Sequence, residues 1–216
     1  MKNENQTTKI YNSLKQMIIS GEYPPLSPLH EIKLSEHYEA SRNTVKKALL
    51  MLERENLVSI ELNKGARVKS VSLEEAKEFL ELRAALERFI AQKTVSIISD
   101  DDIIKMRSIL DTMKQSLQEH KLLEYSQNNQ RFHMVIYQAC PNKPAVEMTT
   151  NIKLQMCRYD TKTILVPGRD VDSFAEHEAI WEAFRLRDSD KAATLTEQHV
   201  LNVKSIFEEH FSLLFL

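Results

Sequence analysis

Glycine is almost missing from this chain: 216 residues hold three, at Gly21, Gly65 and Gly168. Loops that cradle phosphates need clustered glycines, so a P-loop and a dinucleotide fingerprint are excluded. Cysteine is equally scarce, and Cys140 and Cys157 lack the C-x-x-C spacing of a zinc knuckle or redox pair. Packed, reduced thiols are the expectation. There is no nucleophile elbow and no His-Glu-x-x-His helix. Long apolar runs are absent too: nothing approaches the ~18 residues of a membrane span. The opening MKNENQTTK has neither an apolar signal core nor an Arg-rich transit pattern. These absences point away from catalysis and from the membrane, and predict a cytoplasmic protein. An excess of charge of one sign is missing as well, the formal net charge being -2.

That balance hides an asymmetry. Residues 1–70 hold 11 Lys/Arg against 8 Asp/Glu, whereas residues 71–216 hold 18 against 23. A basic head on an acidic body suits an N-terminal part that meets a polyanion and a C-terminal part that does not. With 42% apolar residues there is enough to bury sizeable cores, and we read two domains, 1–70 and 71–216. At the boundary Ser72-Leu73-Glu74-Glu75 reads as a capping box, with Val71 and Ala76 placed as a hydrophobic staple.

Within the first domain, Glu31 to Val68 reads as a winged helix-turn-helix. A helix at about Lys9 to Ser20 comes before it, followed by a Gly-Pro-rich link and a short helix at Ile32 to Tyr38. Ser41 is then placed to cap a second helix, Arg42 to Arg54, whose Val45, Ala48, Leu49 and Leu52 recur on one face. The opposite face carries Asn43, Lys46 and Lys47, with Arg42 at its mouth, so amide and cationic donors stand where base edges and phosphates would lie. A strand, Leu57 to Leu62, returns through Asn63-Lys64-Gly65 into Ala66-Arg67-Val68, a two-stranded wing tipped by Lys64. Isolated Lys/Arg runs are usually only solvated faces; it is the order of elements that favours DNA.

These residues resemble the GntR bacterial transcription regulators. Leu34-Ser35, Ser41-Arg42-Asn43-Thr44-Val45-Lys46-Lys47-Ala48-Leu49, Leu52-Glu53-Arg54-Glu55-Asn56-Leu57-Val58 and Gly65 meet that family's pattern over the first third of the chain. The resemblance implies contact with a double-stranded, palindromic operator through Ser41, Arg42, Asn43, Thr44, Lys46, Lys47, Lys64 and Gly65. Three departures stand out: Pro24-Pro25-Leu26-Ser27-Pro28 replaces Pro-Gly, Glu39 replaces the turn glycine, and Asn43-Thr44 replaces Thr-Pro.

From Ser72 onward the pattern is helical, with breaks at Ser99-Asp100, near His120, at Pro141 to Pro144, at Pro167 to Asp170 and at Asp188-Ser189. Six helices follow, at about 73–97, 100–118, 121–139, 144–165, 173–187 and 189–213, forming an antiparallel all-α bundle. Three of them each turn one histidine inward. His133 shares a face with Asn129, Ile136 and Tyr137, His177 with Ile180, Trp181 and Phe184, and His199 with Leu195, Val203 and Ala192. One such histidine is usually a satisfied core residue. Three unpartnered imidazoles would cost about 1–3 kcal/mol each, which a divalent metal of Zn or Ni type offsets through their lone pairs.

The runs Asn129-Gln130-Arg131-Phe132-His133, Glu176-His177-Glu178-Ala179-Ile180 with Ala183-Phe184 and Asp188, and Ala192 with His199 resemble the FCD ligand-binding domain of the FadR branch of GntR regulators. Six helices suggest its VanR-like subgroup. The resemblance implies a metal held by Asn129, His133, His177 and His199, with Asn129 standing where the family has aspartate, and a small carboxylate effector on that metal. Arg83, on the inner stripe with Leu80, Leu86 and Glu87, and Arg158, beside Tyr159, are the candidate carboxylate partners. The helix from Ser72 to Ser96 carries Leu73, Phe79, Leu80, Leu82, Leu86, Phe89 and Ile90, more than one inward stripe requires, and so predicts a homodimer. The resulting expectation is a DNA-binding regulator, a repressor tuned by a small organic acid. The alternative is a metal-dependent helical enzyme with a basic appendage.

Overall fold

A computed structural model describes residues 5–61 and 64–214, without the side chains of residues 157, 158, 160, 161 and 212–214. The chain divides into two compact units, residues 1–71 and 72–216.

The first unit runs α1 (Gln6–Ile19), β1 (Pro28–Leu29), α2 (Glu31–His37), α3 (Arg42–Arg54), β2 (Val58–Glu61) and β3 (Gly65–Val68). Helix α1 starts three residues before the expected Lys9, because the Asn5 side chain accepts from the Thr7 N–H at 3.2 Å and caps the turn. In α3 the Ser41 hydroxyl accepts from the Thr44 N–H at 3.1 Å, and Val45, Ala48, Leu49 and Leu52 are buried. They pack with Ile10, Leu14 and Ile18 of α1 and with Leu34 of α2 in one core.

The wing has three strands rather than two, in the order β1-β3-β2. The Pro-rich link supplies the extra one, with Pro28 opposite Arg67 and Leu29 opposite Ala66. Proline has no N–H to give to a ladder, but an edge strand leaves one side unpaired, so the link can be both Pro-rich and a strand. On the other side Glu61 faces Gly65 across β2 and β3. Gly65 has φ +81°, a left-handed conformation that favours glycine. Leu62 and Asn63 of the expected turn lie outside the described residues.

The second unit contains α4 (Leu73–Thr94), α5 (Asp100–Gln118), α6 (Leu122–Ala139), α7 (Lys143–Thr163), α8 (Arg169–Arg185) and α9 (Ser189–Leu214). The capping box is formed: the Ser72 N–H donates to Glu75 Oε2 at 2.9 Å and the Glu75 N–H to Ser72 Oγ at 3.2 Å. Asn142 and Asp188 cap α7 and α9 in the same manner, each accepting from a backbone N–H at 3.0 Å. Helix α8 begins four residues ahead of the expected 173. Gly168, at φ +83°, turns the chain, and Asp170 and Asp172 then sit in the first turn, where the helix dipole favours them. Helix α9 packs along α4 and also against α7 and α8, α5 packs on α6 and α8, and the core gathers Ile90, Met106, Leu110, Phe132, Ile136, Ile180 and Phe184. After α8, Arg187 caps the end of α4, donating to the carbonyls of Val95 and Ile98 and pairing with Asp100. On α4 only Leu82, 46% exposed, is a large apolar side chain facing solvent. Phe79, Leu86 and Phe89 are half-buried.

Candidate nucleic-acid interface and histidine centre

On α3 the four buried apolar residues leave Arg42, Asn43, Lys46 and Lys47 exposed. Ser41 and Thr44 have a local role as well: their hydroxyls bond each other at 2.8 Å while starting the helix. At the wing, Lys64 pairs with Glu61 at 2.7 Å, both exposed, and the lysine holds the Glu61 carboxyl below its usual range. Arg67 donates to the Leu26 carbonyl at 3.3 Å and so ties the edge strand to the wing. A groove lined by His30, Glu31, Ile32 and Lys33 also takes in Arg42 and Lys64. His30 and Lys33 were not singled out by sequence, because neither lies on a recognisable reading face.

In the second unit, α6, α8 and α9 bring His133, His177 and His199 together. One nitrogen from each lies within 4.8 Å of the others, and all three side chains are buried. His177 Nε2 is 3.2 Å from His133 Nε2 and 3.1 Å from Asn129 Oδ1. The ring of His199 stands 4.5 Å from that of His177 and 5.2 Å from that of His133, centre to centre. The four residues Asn129, His133, His177 and His199 therefore do converge.

What faces the Nδ1 atoms assigns the protons. His177 Nδ1 meets the Ser173 carbonyl at 2.5 Å, four residues back on the same helix. His199 Nδ1 meets Glu176 Oε2 at 2.6 Å, and His133 Nδ1 faces Glu87 Oε2 at 3.5 Å. A carbonyl and a carboxylate can only accept, so the Nδ1 atoms of His177 and His199 carry their hydrogens, whereas His133 Nδ1 and Glu87 Oε2 are buried without a hydrogen bond. Burial lowers the pKa of all three imidazoles, His133 and His177 far below the usual value, with Lys153 adding to the effect at His133 and His199 at His177. For His199, Glu176 works in the opposite direction but does not overcome burial.

The carboxylates are themselves held. Burial pushes Glu176 up, but His199 and Arg169 outweigh it and bring its pKa to about 2. Arg169 grips it with two bonds of 2.6 and 2.8 Å, and Asn202 donates at 2.7 Å. Burial likewise raises Glu87, and Arg83 and Lys153 reverse the shift. Arg83 and Glu87, one turn apart on α4, are joined at 2.6 Å with both side chains buried. A cavity of about 40 Å³ adjoins the centre, sharing Asn129 and His199 with it and walled also by Arg83, Lys153, Arg169 and Ser173.

Of the two candidate effector arginines, Arg83 thus lines the cavity; the Arg158 side chain lies outside the described residues. Trp181 is only half-buried: its indole N–H goes to the Ile103 carbonyl at 3.1 Å, with Arg107 and Arg185 over its ring. The residues that sequence reasoning did not assign are Lys153, Arg169 and Ser173, with Glu87 and Glu176 facing the histidines. The four-residue spacings Arg83/Glu87 and Ser173/His177 were readable as helix neighbours; Lys153 and Arg169 reach the cavity from separate helices, and no local spacing marks them.

Known proteins match both units. The profile for bacterial regulatory proteins of the gntR family fits residues 6–68, and that for the FCD domain fits residues 78–202. The HTH-type transcriptional repressor GlaR of Escherichia coli (strain K12) is 26% identical over 207 residues, 92% of this chain and 94% of that protein. RspR, an HTH-type transcriptional repressor of the same organism, is 22% identical over 90% of this chain and 86% of its own length. Among solved structures, E. coli McbR/YncC superposes with a TM-score of 0.78 at 18% identity, covering 96% of this chain and 99% of that one. A putative transcriptional regulator GntR from Rhodococcus sp. RHA1 gives 0.77 at 18% identity, covering 95% and 99%. A winged helix-turn-helix at residues 6–68 and a helical FCD domain at residues 78–202 together account for most of this chain, which belongs to the gntR family of bacterial regulatory proteins, as a DNA-binding transcriptional regulator with an FCD domain.

Proposed function

We propose that this regulator is a homodimeric repressor of the cytoplasm whose FCD domain binds a divalent metal and, through it, a small carboxylate, and thereby modulates operator binding. The observation that carries the metal reading is the contact between His177 Nε2 and His133 Nε2 at 3.2 Å. With its hydrogen on Nδ1, His177 turns its Nε2 lone pair toward His133 Nε2 and Asn129 Oδ1, and a cation shared between these atoms would use that lone pair. His133, His177 and His199 would hold the ion through Nε2, with Asn129 Oδ1 as the oxygen donor. The outer acceptors, the Ser173 carbonyl and Glu176, keep His177 and His199 in the binding tautomer, and Glu87 faces His133 Nδ1 at 3.5 Å. When bound, a Zn- or Ni-type ion supplies a Lewis-acidic anchor for a carboxylate oxygen.

On the DNA side, Arg42, Asn43, Lys46 and Lys47 reach base edges and phosphates of the major groove. Lys64 and Gly65 add wing contacts, and Ser41 and Thr44 bring the helix N-terminus close to a phosphate. A dimer presents two such helices, so the operator is a short palindrome. Leu82 and the half-buried Phe79, Leu86 and Phe89 of α4 are the surface offered to a second copy.

A gel shift on the chain's own upstream DNA, with and without zinc and candidate acids, tests this reading. The expected result is a discrete complex that changes with acid only when metal is present. An acid response that survives thorough chelation would overturn the metal route. Light scattering that finds a monomer at micromolar concentration, with helicity intact, would overturn the dimer.

A further inference from the structure

The wing can reach DNA only if it stands at a suitable angle to the reading helix, and a side chain of that helix is bonded to it. Glu53, half-buried near the end of α3, accepts from the Ile60 N–H of β2 through Oε1 at 3.0 Å. Strand β2 lies at an edge of the described sheet, so every second N–H along it has no partner strand. The Lys69 N–H donates to the Leu57 carbonyl, which makes Leu57, Ser59 and Glu61 the positions bonded to β3 and turns Val58 and Ile60 outward. Of the two outward donors, Glu53 takes the one nearer the tip. Ile60 stands opposite Ala66, and Ala66 opposite Leu29, so the sheet is gripped at one level from both sides. On the far side the grip is the Leu26 and Ser27 backbone on Val68, with two residues of β1, one a proline without an N–H. On the β2 side it comes from Glu53. Glu55, two residues on, goes to Lys15 and Tyr11 of α1 at 2.7 and 2.5 Å, so one acid fixes the end of α3 to the core and the other fixes it to the wing.

We propose that Glu53 is a positioning residue for operator binding: its carboxylate sets the tilt of the wing against α3 and so brings Lys64 to the DNA. This rests on the wing contact proposed for Lys64 above. At about 3.3 Å per residue the arm from Leu57 to Glu61 is about 13 Å long, so a tilt of about 10° at its root moves the tip by about 2 Å, enough to part a cation from a phosphate oxygen. Charge alone would act in the opposite direction. Glu53 is an acid on the reading helix, and removing an acid from a DNA-binding unit favours a polyanion. A positioning role makes the same change lower the affinity.

Fluorescence anisotropy of the full chain on a duplex of its own upstream DNA, with hydrogen exchange over residues 57–61 beside it, tests this. Glu53→Ala removes the acceptor, and Glu53→Asp keeps the charge on an arm one methylene too short for Ile60. Each is expected to lower affinity about fivefold, to flatten the slope of log affinity against log salt by about one, as loss of the Lys64 contact does, and to speed exchange in β2. Glu53→Gln keeps an acceptor oxygen at the same reach and is expected to stay within about twofold of the wild type. Added to Lys64→Ala, Glu53→Ala should cost nothing further, since the contact it aims is already gone. Glu53→Asp carries the comparison if the alanine variant does not fold. Affinity unchanged or raised in the folded variants, a Glu53→Gln chain as weak as Glu53→Ala, or losses that simply add in the double variant would overturn the proposal while the wing contact still stands. Wild-type affinity and salt slope in Lys64→Ala would overturn the wing contact and the proposal with it.

Discussion

The two units use the same side chains in opposite ways. In the first, Arg42, Lys46 and Lys47 stand exposed on α3. In the second, Arg83 and Arg169 are 3% and 4% exposed, each locked to an acid, the buried Glu87 and the half-buried Glu176. A solvated cation costs the fold little and is free to replace counterions around a polyanion. A buried one is committed, because removing its partner leaves an uncompensated charge. Stability and recognition should therefore be separable in the N-terminal unit and entangled in the C-terminal one.

The strongest way to break that contrast is Glu176→Ala. It strips Arg169 of both acceptor oxygens and leaves His199 and Asn202 without theirs. A loss of about 3–5 kcal/mol is expected in urea denaturation, and a loss well under that would mean the network relaxes into water. Next in size is metal removal. At a free ion concentration a hundredfold above Kd, binding adds about 2.7 kcal/mol, so chelation should lower Tm in the wild type and leave His199→Ala unmoved.

Arg42→Ala should show the opposite profile. Fluorescence anisotropy on operator DNA is expected to reveal about 1–3 kcal/mol of lost affinity if the guanidinium reads a base, with unfolding shifted by no more than about 0.5 kcal/mol. Equal losses in both measurements would erase the distinction between the units. The smallest effect belongs to Lys64→Ala, whose side chain pairs with Glu61 in the open, both being exposed. Its melting should match the wild type, and the slope of log affinity against log salt should become shallower by about one.

How far the sequence could be read differs between elements for local reasons. The start of α4 was legible because a capping box is written in four consecutive residues, Ser72 to Glu75. The start of α8 was misplaced because Arg169 to Asp172 carries no Ser or Thr cap, only Gly168 turning the chain. Strand β1 was invisible, since two residues, one of them proline, hold no periodicity and their pairing with β3 joins positions almost forty residues apart. The histidines were legible as three separate inward faces, and Arg83 as part of the inner stripe of α4. Their convergence needed the packing of α6, α8 and α9.

Written in the sequence alone were the order of the helices and of the β2–β3 hairpin, the buried and exposed faces of α3, the helical character of the unit after Ser72, and the inward turn of His133, His177 and His199. All of these follow from interactions within about four residues, caps and periodicity, which survive in a linear string. Only the tertiary structure decided which group meets each Nδ1, and that Lys153 and Arg169 join Arg83 around one small cavity. Those placements depend on how five helices, α4 and α6 to α9, pack. The protonation and charge of a buried group are set by neighbours distant in sequence, in a medium where water no longer screens them.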